Sequence, residues 1–196
     1  MRLTALLTRS LVFAPVALLA CSDPPPPTAQ GGVYYEVSSA SNPPSGTACD
    51  LPGGYNVGLG DPPPDADGED PGKRIVDGEH NVSVSCDVSG DKTVTFSGEI
   101  KGTQVIEGIG NKPARLKISG TINEDGTGTG QVTVLTQDGF SYNNTDPCTL
   151  QGVVIDGKNQ WGDDLVWTTF DCPLVAGDQI STVCRAKGSV VLEKCQ

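Results

Sequence analysis

The chain of 196 residues has one histidine, His80, no Cys-x-x-Cys pair and no Gly-x-Ser-x-Gly elbow. The thiolate and imidazole spacings of a structural zinc site are therefore missing, and so is the sharp turn that presents a serine nucleophile. Positive charge is scarce too: 13 Lys and Arg stand against 24 Asp and Glu, a net charge of −11. Such a chain lacks the basic clusters that bind nucleic acid or anionic lipid headgroups. Long hydrophobic runs are absent. The longest, from Ser10 to Leu19, falls short of the ~20 residues of a spanning helix, and Arg9 cuts it off. Hydrophobic residues make up 36 %, and 25 Gly with 15 Pro thin the core further. No twelve-residue window after this run shows a helical face, and no internal duplication is visible.

What is present begins at the N-terminus. Arg2 and Arg9 precede the apolar run, which ends in small Ala20 and Cys21. These are the three regions of a secretory signal. Leu18-Leu19-Ala20-Cys21 resembles the lipobox of bacterial lipoproteins. The resemblance implies that the Cys21 thiol carries a diacylglycerol, that Cys21 becomes the new N-terminus, and that a third acyl chain often follows. One chain binds only marginally at ~0.8 kcal/mol per buried methylene, whereas two or more hold a protein on a membrane. Ser22 after the cysteine resembles the outer-membrane sorting pattern. The expected organisation is a signal peptide over 1–20 and a lipidated, Pro-rich tether over 21–32. A single β-domain over 33–196 follows, with a long acidic Pro/Gly loop at about 41–72. Pro24 to Pro27 stiffen the tether towards polyproline II, at ~3.1 Å per residue. Loss of 1–20 leaves 196 − 20 = 176 residues and a charge of 11 − 24 = −13.

The remainder reads as strands. Val33 to Val37 is the first. From His80 the period is two: Val82, Val84, Cys86 and Val88 share one face, with Asn81, Ser83, Ser85 and Asp87 on the other. After the turn at Ser89-Gly90-Asp91-Lys92 the alternation resumes at Val94, Phe96 and Ile100, with Gly98 weakening it. It then runs through Leu116, Ile118 and Ile122, turns at 123–128, and returns through Val132 and Val134. Thr149–Ile155, Leu165–Phe170 and Ser189–Lys194 complete a set of eight to ten short strands. The expected fold is all-β, an antiparallel sandwich or flattened barrel.

Beyond Cys21, six cysteines remain: Cys49, Cys86, Cys148, Cys172, Cys184 and Cys195. An even number in an exported chain reads as three disulfides, with 15 connectivities open. One set pairs Cys172 with Cys184, Cys49 with Cys86 and Cys148 with Cys195. A rival joins Cys148 to Cys172, which face each other if strands 149–155 and 165–170 form a hairpin.

Three features carry candidate chemistry. His80 lies beside Glu79 just before a strand, where it reads as solvated because no nucleophile accompanies it. Asp61, Asp65, Asp67 and Asp70 offer oxygens of the kind calcium takes, although Asp70 stands where an EF-hand loop needs glycine. Trp161, in a turn before Gly162, is the residue that would stack on a sugar, or else cover one end of the sandwich. Trp167, within a strand, is expected in the core.

The segment Ile75-Val76-Asp77-Gly78-Glu79, then Asn81-Val82-Ser83-Val84-Ser85-Cys86, resembles small β-rich surface lipoproteins of mycobacteria, the LpqH-type antigens. The resemblance covers about one-eighth of the chain. It implies a lipid-anchored β-domain without catalysis, and a bridge from Cys86 to Cys172 or Cys195. This chain departs from that family in its six mature cysteines and acidic loop. The resulting expectation is an envelope lipoprotein that acts as a non-catalytic binding or structural module, held to the membrane by lipid and without a cofactor. Its protein or glycan partner is undefined. A calcium-assisted or carbohydrate-binding module is the alternative, and an envelope hydrolase stands behind both.

Overall fold

Alternation of Val with Ser over 82–89 suits one backbone geometry, because only a strand sends every second side chain to the same face. The computed structural model describes residues 27–49, 51, 55–60, 74–106, 110–136 and 139–196. Cys21 and the signal, most of the tether, and Asp61, Asp65, Asp67 and Asp70 lie outside the described residues. In chain order the strands are β1 (Gln30–Ser39), β2 (Tyr55–Leu59), β3 (Ile75–Val76), β4 (Ser83–Ser89), β5 (Val94–Ile106), β6 (Gly110–Ile122) and β7 (Thr127–Leu135). There follow β8 (Ser141–Asn144), β9 (Cys148–Gly152), β10 (Val154–Ile155), β11 (Lys158–Asn159), β12 (Trp161–Gly162), β13 (Leu165–Gly177) and β14 (Val183–Glu193). The described residues contain no α-helix, only a 3-10 turn at Glu79–Asn81.

The fold is all-β, as expected, and every pairing is antiparallel. One large sheet runs β2-β1-β14-β13-β8-β7-β6-β5-β4 and folds over on itself. Strand β13 is the hinge of this architecture. Its first half pairs β9 and its second half β8, on either side of a register shift between Cys172 and Val175, and both partners pair in turn with β7. The two layers enclose the core: Val33, Tyr35 and Val37 of β1 with Phe170, Val190 and Leu192, against Phe96, Ile100, Leu116, Ile118, Val132 and Val134. The Tyr35 hydroxyl spans the layers, 2.5 Å from the carbonyl oxygen of Leu135 and 3.1 Å from that of Arg115. Burial pushes its pKa upward, so it stays a neutral donor.

Several expectations need correction. The strands are not uniformly short: β1, β5, β6, β13 and β14 each run ten residues or more. Their extensions, such as Lys101–Ile106 and Gly110–Arg115, carry little alternating apolar signal, because ladder pairing rather than one buried face defines them. The span read as loop holds β2, paired to β1 from Val33↔Leu59 to Val37↔Tyr55. Gln30 to Gly32, assigned to the tether, belong to β1 and pair with β14.

The disulfides are Cys49–Cys184, Cys86–Cys195 and Cys148–Cys172. None of the first set of pairings forms. The rival Cys148–Cys172 does, because β9 and β13 lie side by side with Thr149 opposite Asp171. Cys172 and Cys184 flank one hairpin but sit opposite Ala186 and Val175, out of register with each other. Cys184 instead faces Ser39 at the end of β1, within reach of the returning chain that carries Cys49. Cys86 takes Cys195, one of the two partners named on the family resemblance, since the C-terminal residues add a rung beside β4. The Val88 N–H donates to the Gln196 carbonyl at 3.1 Å, and the Gln196 N–H to the Cys86 carbonyl at 3.2 Å.

Candidate functional site

Strands β4 to β7 form a meander whose register fixes what lies side by side on the solvent face. One row is Ser89, Thr95, Thr121 and Thr129; the next is Asp87, Ser97, Ser119 and Gln131. Neighbours along a row sit one strand spacing apart, ~4.8 Å. Between the rows, the inward positions are Val88, Phe96, Gly120 and Gly130. A Cβ on Gly120 would lie 2.5 Å from Leu150 Cδ1, and one on Gly130 2.9 Å from the same atom. With no side chain at either position, Leu150 packs closely against the backbone of β6 and β7.

The outer face of the meander holds an open groove of about 640 Å³ lined by both rows, with Val88, Phe96, Gly120 and Gly130 between them and Pro147 and Gln196 on its border. Two smaller hollows continue it. One of about 130 Å³ lies around Ser85, Glu99 and Lys117, and one of about 380 Å³ around Ala29, Asp77 and Lys194. Asp87 borders all three and has no ion-pair or hydrogen-bond partner among the described residues. The hydroxyls of Ser97, Ser119, Thr121 and Thr129 are likewise unengaged among the described residues. Gln131 is held from the side: its Oε1 accepts from Asn144 Nδ2 at 2.9 Å, which leaves its own amide N–H groups for the groove. Asn144 is itself fixed, its Oδ1 accepting from the Val132 N–H at 2.7 Å. The groove therefore offers hydroxyls, the amides of Gln131 and Gln196, and the Asp87 carboxylate.

Residues that the sequence singled out lie elsewhere. Trp161 is buried, 8 % exposed, with its indole laid on Gly152, so it is no stacking platform. The turn that holds it bends back as β12 against β13, which folds the ring inward over the end of the core. Trp167 is buried, but in a small second cluster with Val153 and Val191 on the opposite face of β13. There the Arg74 guanidinium lies 4.7 Å over its ring and pairs with Glu193 at 2.9 Å. His80 is exposed at φ 51° within the 3-10 turn and makes no hydrogen bond or ion pair among the described residues. Sequence reasoning missed every groove residue. The available signal was the outward half of the alternation, unusually rich in Ser and Thr.

No protein-family model matches this chain, no curated protein is similar to it, and no solved structure matches its fold.

Proposed function

We propose that this chain is a bacterial envelope lipoprotein, anchored through acylated Cys21, whose domain is a non-catalytic binding module that presents the β4–β7 face. The lipobox-like segment supports the anchor, and Ser22 supports sorting to the outer membrane. The observation that carries the binding reading is the groove itself. Polar side chains, most of them without internal partners among the described residues, border an open groove of about 640 Å³, within the ~300–1,000 Å³ of typical sites. Ordinary solvated sheet faces carry Lys and Glu with both signs interspersed. The rows bordering this groove contain Asp87 as their one charge.

A photo-crosslinking residue placed in living cells tests this. One version puts it at Thr129, in the groove; the other at Lys158, exposed on the β10–β11 hairpin. Adducts are expected from position 129 and not from 158. Equal labelling at both, or none in the groove, contradicts the proposal.

A further inference from the structure

We infer that the groove takes a linear, uncharged glycan chain, laid across β4 to β7 and held by hydrogen bonds alone. The inference rests on the groove being a binding face and adds the class of ligand. Four strands span three intervals of ~4.8 Å, so the groove repeats its donors and acceptors about every pyranose length along roughly 14 Å. The groups on offer include the hydroxyls of Ser97, Ser119, Thr121 and Thr129, the Gln131 amide and the Asp87 carboxylate. Each hydroxyl both donates and accepts, which matches the hydroxyls of a sugar. Asp87, the one charged side chain among the described residues that line the groove, disfavours a polyanion, as does the net charge of −11.

A peptide fits less well. Strand addition needs a free edge, and β5, β6 and β7 are paired on both sides. At β4, the sheet's last strand, the outer edge is occupied: Val84 N–H donates to Asp77 Oδ1 at 2.8 Å, and Gln196 takes Cys86 and Val88. Helix or polyproline docking needs an apolar or aromatic trough, whereas Val88 and Phe96 are buried beneath the outward rows and Pro147 only borders the groove. With no aromatic stacking, affinity should be weak, Kd on the order of 1 mM, and display of many copies on a membrane would supply avidity.

The test is saturation-transfer NMR on the full chain in detergent micelles, with three probes: hexamers of β-1,4-linked glucose, β-1,4-linked N-acetylglucosamine and β-1,3-linked glucose. The expected result is transfer to at least one hexamer. The affinity should fall ~10-fold or more in a Ser119→Ala/Thr121→Val double variant, and Thr121→Ser should retain it. Unchanged melting of the double variant shows that its fold is intact. No transfer to any hexamer overturns the glycan inference. If crosslinks at position 129 nonetheless persist, the groove reading stands and the ligand class is wrong. Transfer that the double variant leaves unchanged places glycan binding outside the groove and overturns the inference as well.

Discussion

Removing the Cys86–Cys195 bridge by a double change to Ala should cost as much as removing Cys49–Cys184, and more than removing Cys148–Cys172. The two cysteines are 109 residues apart in sequence. With Cys49–Cys184 closed, a shorter path joins them, from Cys86 back to Cys49 and on from Cys184 to Cys195, about 37 plus 11 residues. A loop of about 48 residues corresponds to ~4 kcal/mol in the chain-entropy model. The Cys148–Cys172 loop, with a separation of 24, corresponds to ~3.4 kcal/mol. At ~2–4 °C per kcal/mol for a domain of this size, the Cys86/Cys195 variant should melt ~8–16 °C lower. Calorimetry of the full chain in detergent reads this directly. Hydrogen exchange gives a local check: the Val88 amide, bonded to the Gln196 carbonyl, should lose protection before amides in β6 do. A shift below ~2 °C, with Val88 protection unchanged, would mean that the bridge does not hold the C-terminal rung and would refute this reasoning.

Three further outcomes are expected. Gly130→Ala would place a Cβ 2.5 Å from the Ser119 carbonyl oxygen as well as against Leu150, so a urea midpoint should report ~1–3 kcal/mol of lost stability. Trp161→Ala should cost ~3–5 kcal/mol by equilibrium unfolding, whereas an exposed stacking residue would leave stability nearly unchanged. The Asp125 carboxylate accepts from the hydroxyl and the N–H of Thr127, which holds its pKa below the usual range of ~3.9. Its contribution to stability is thus full above the unfolded value and is lost as pH falls through the lower folded value. Carboxyl NMR titration should show the depressed midpoint, and Thr127→Val should raise it.

The meander was legible because Val82 to Val88 and Leu116 to Ile122 bury one face and expose the other, the situation in which period two is written plainly. Strand β2 was not, since Tyr55–Leu59 is framed by Gly and Pro and is recruited by pairing with β1 rather than by its own pattern. Connectivity was hidden because it depends on which strands meet. Cys184 lies near Cys49 because β14 pairs with β1, which puts Cys184 opposite Ser39. The groove was obscured for a different reason. Ser97, Ser119 and Thr121 are unremarkable singly, and only the register of three hairpins lines them up. Glycines in these strands read in sequence as weak points, whereas Gly120 and Gly130 allow the close approach of Leu150.

That this is a lipid-anchored, disulfide-stapled display module is tested most directly by the intact mass of the protein extracted from its native membrane, alkylated with and without prior reduction. The predicted result is a chain beginning at acylated Cys21, with six thiols that react only after reduction. An unacylated N-terminus, or thiols that react without reduction, would contradict it.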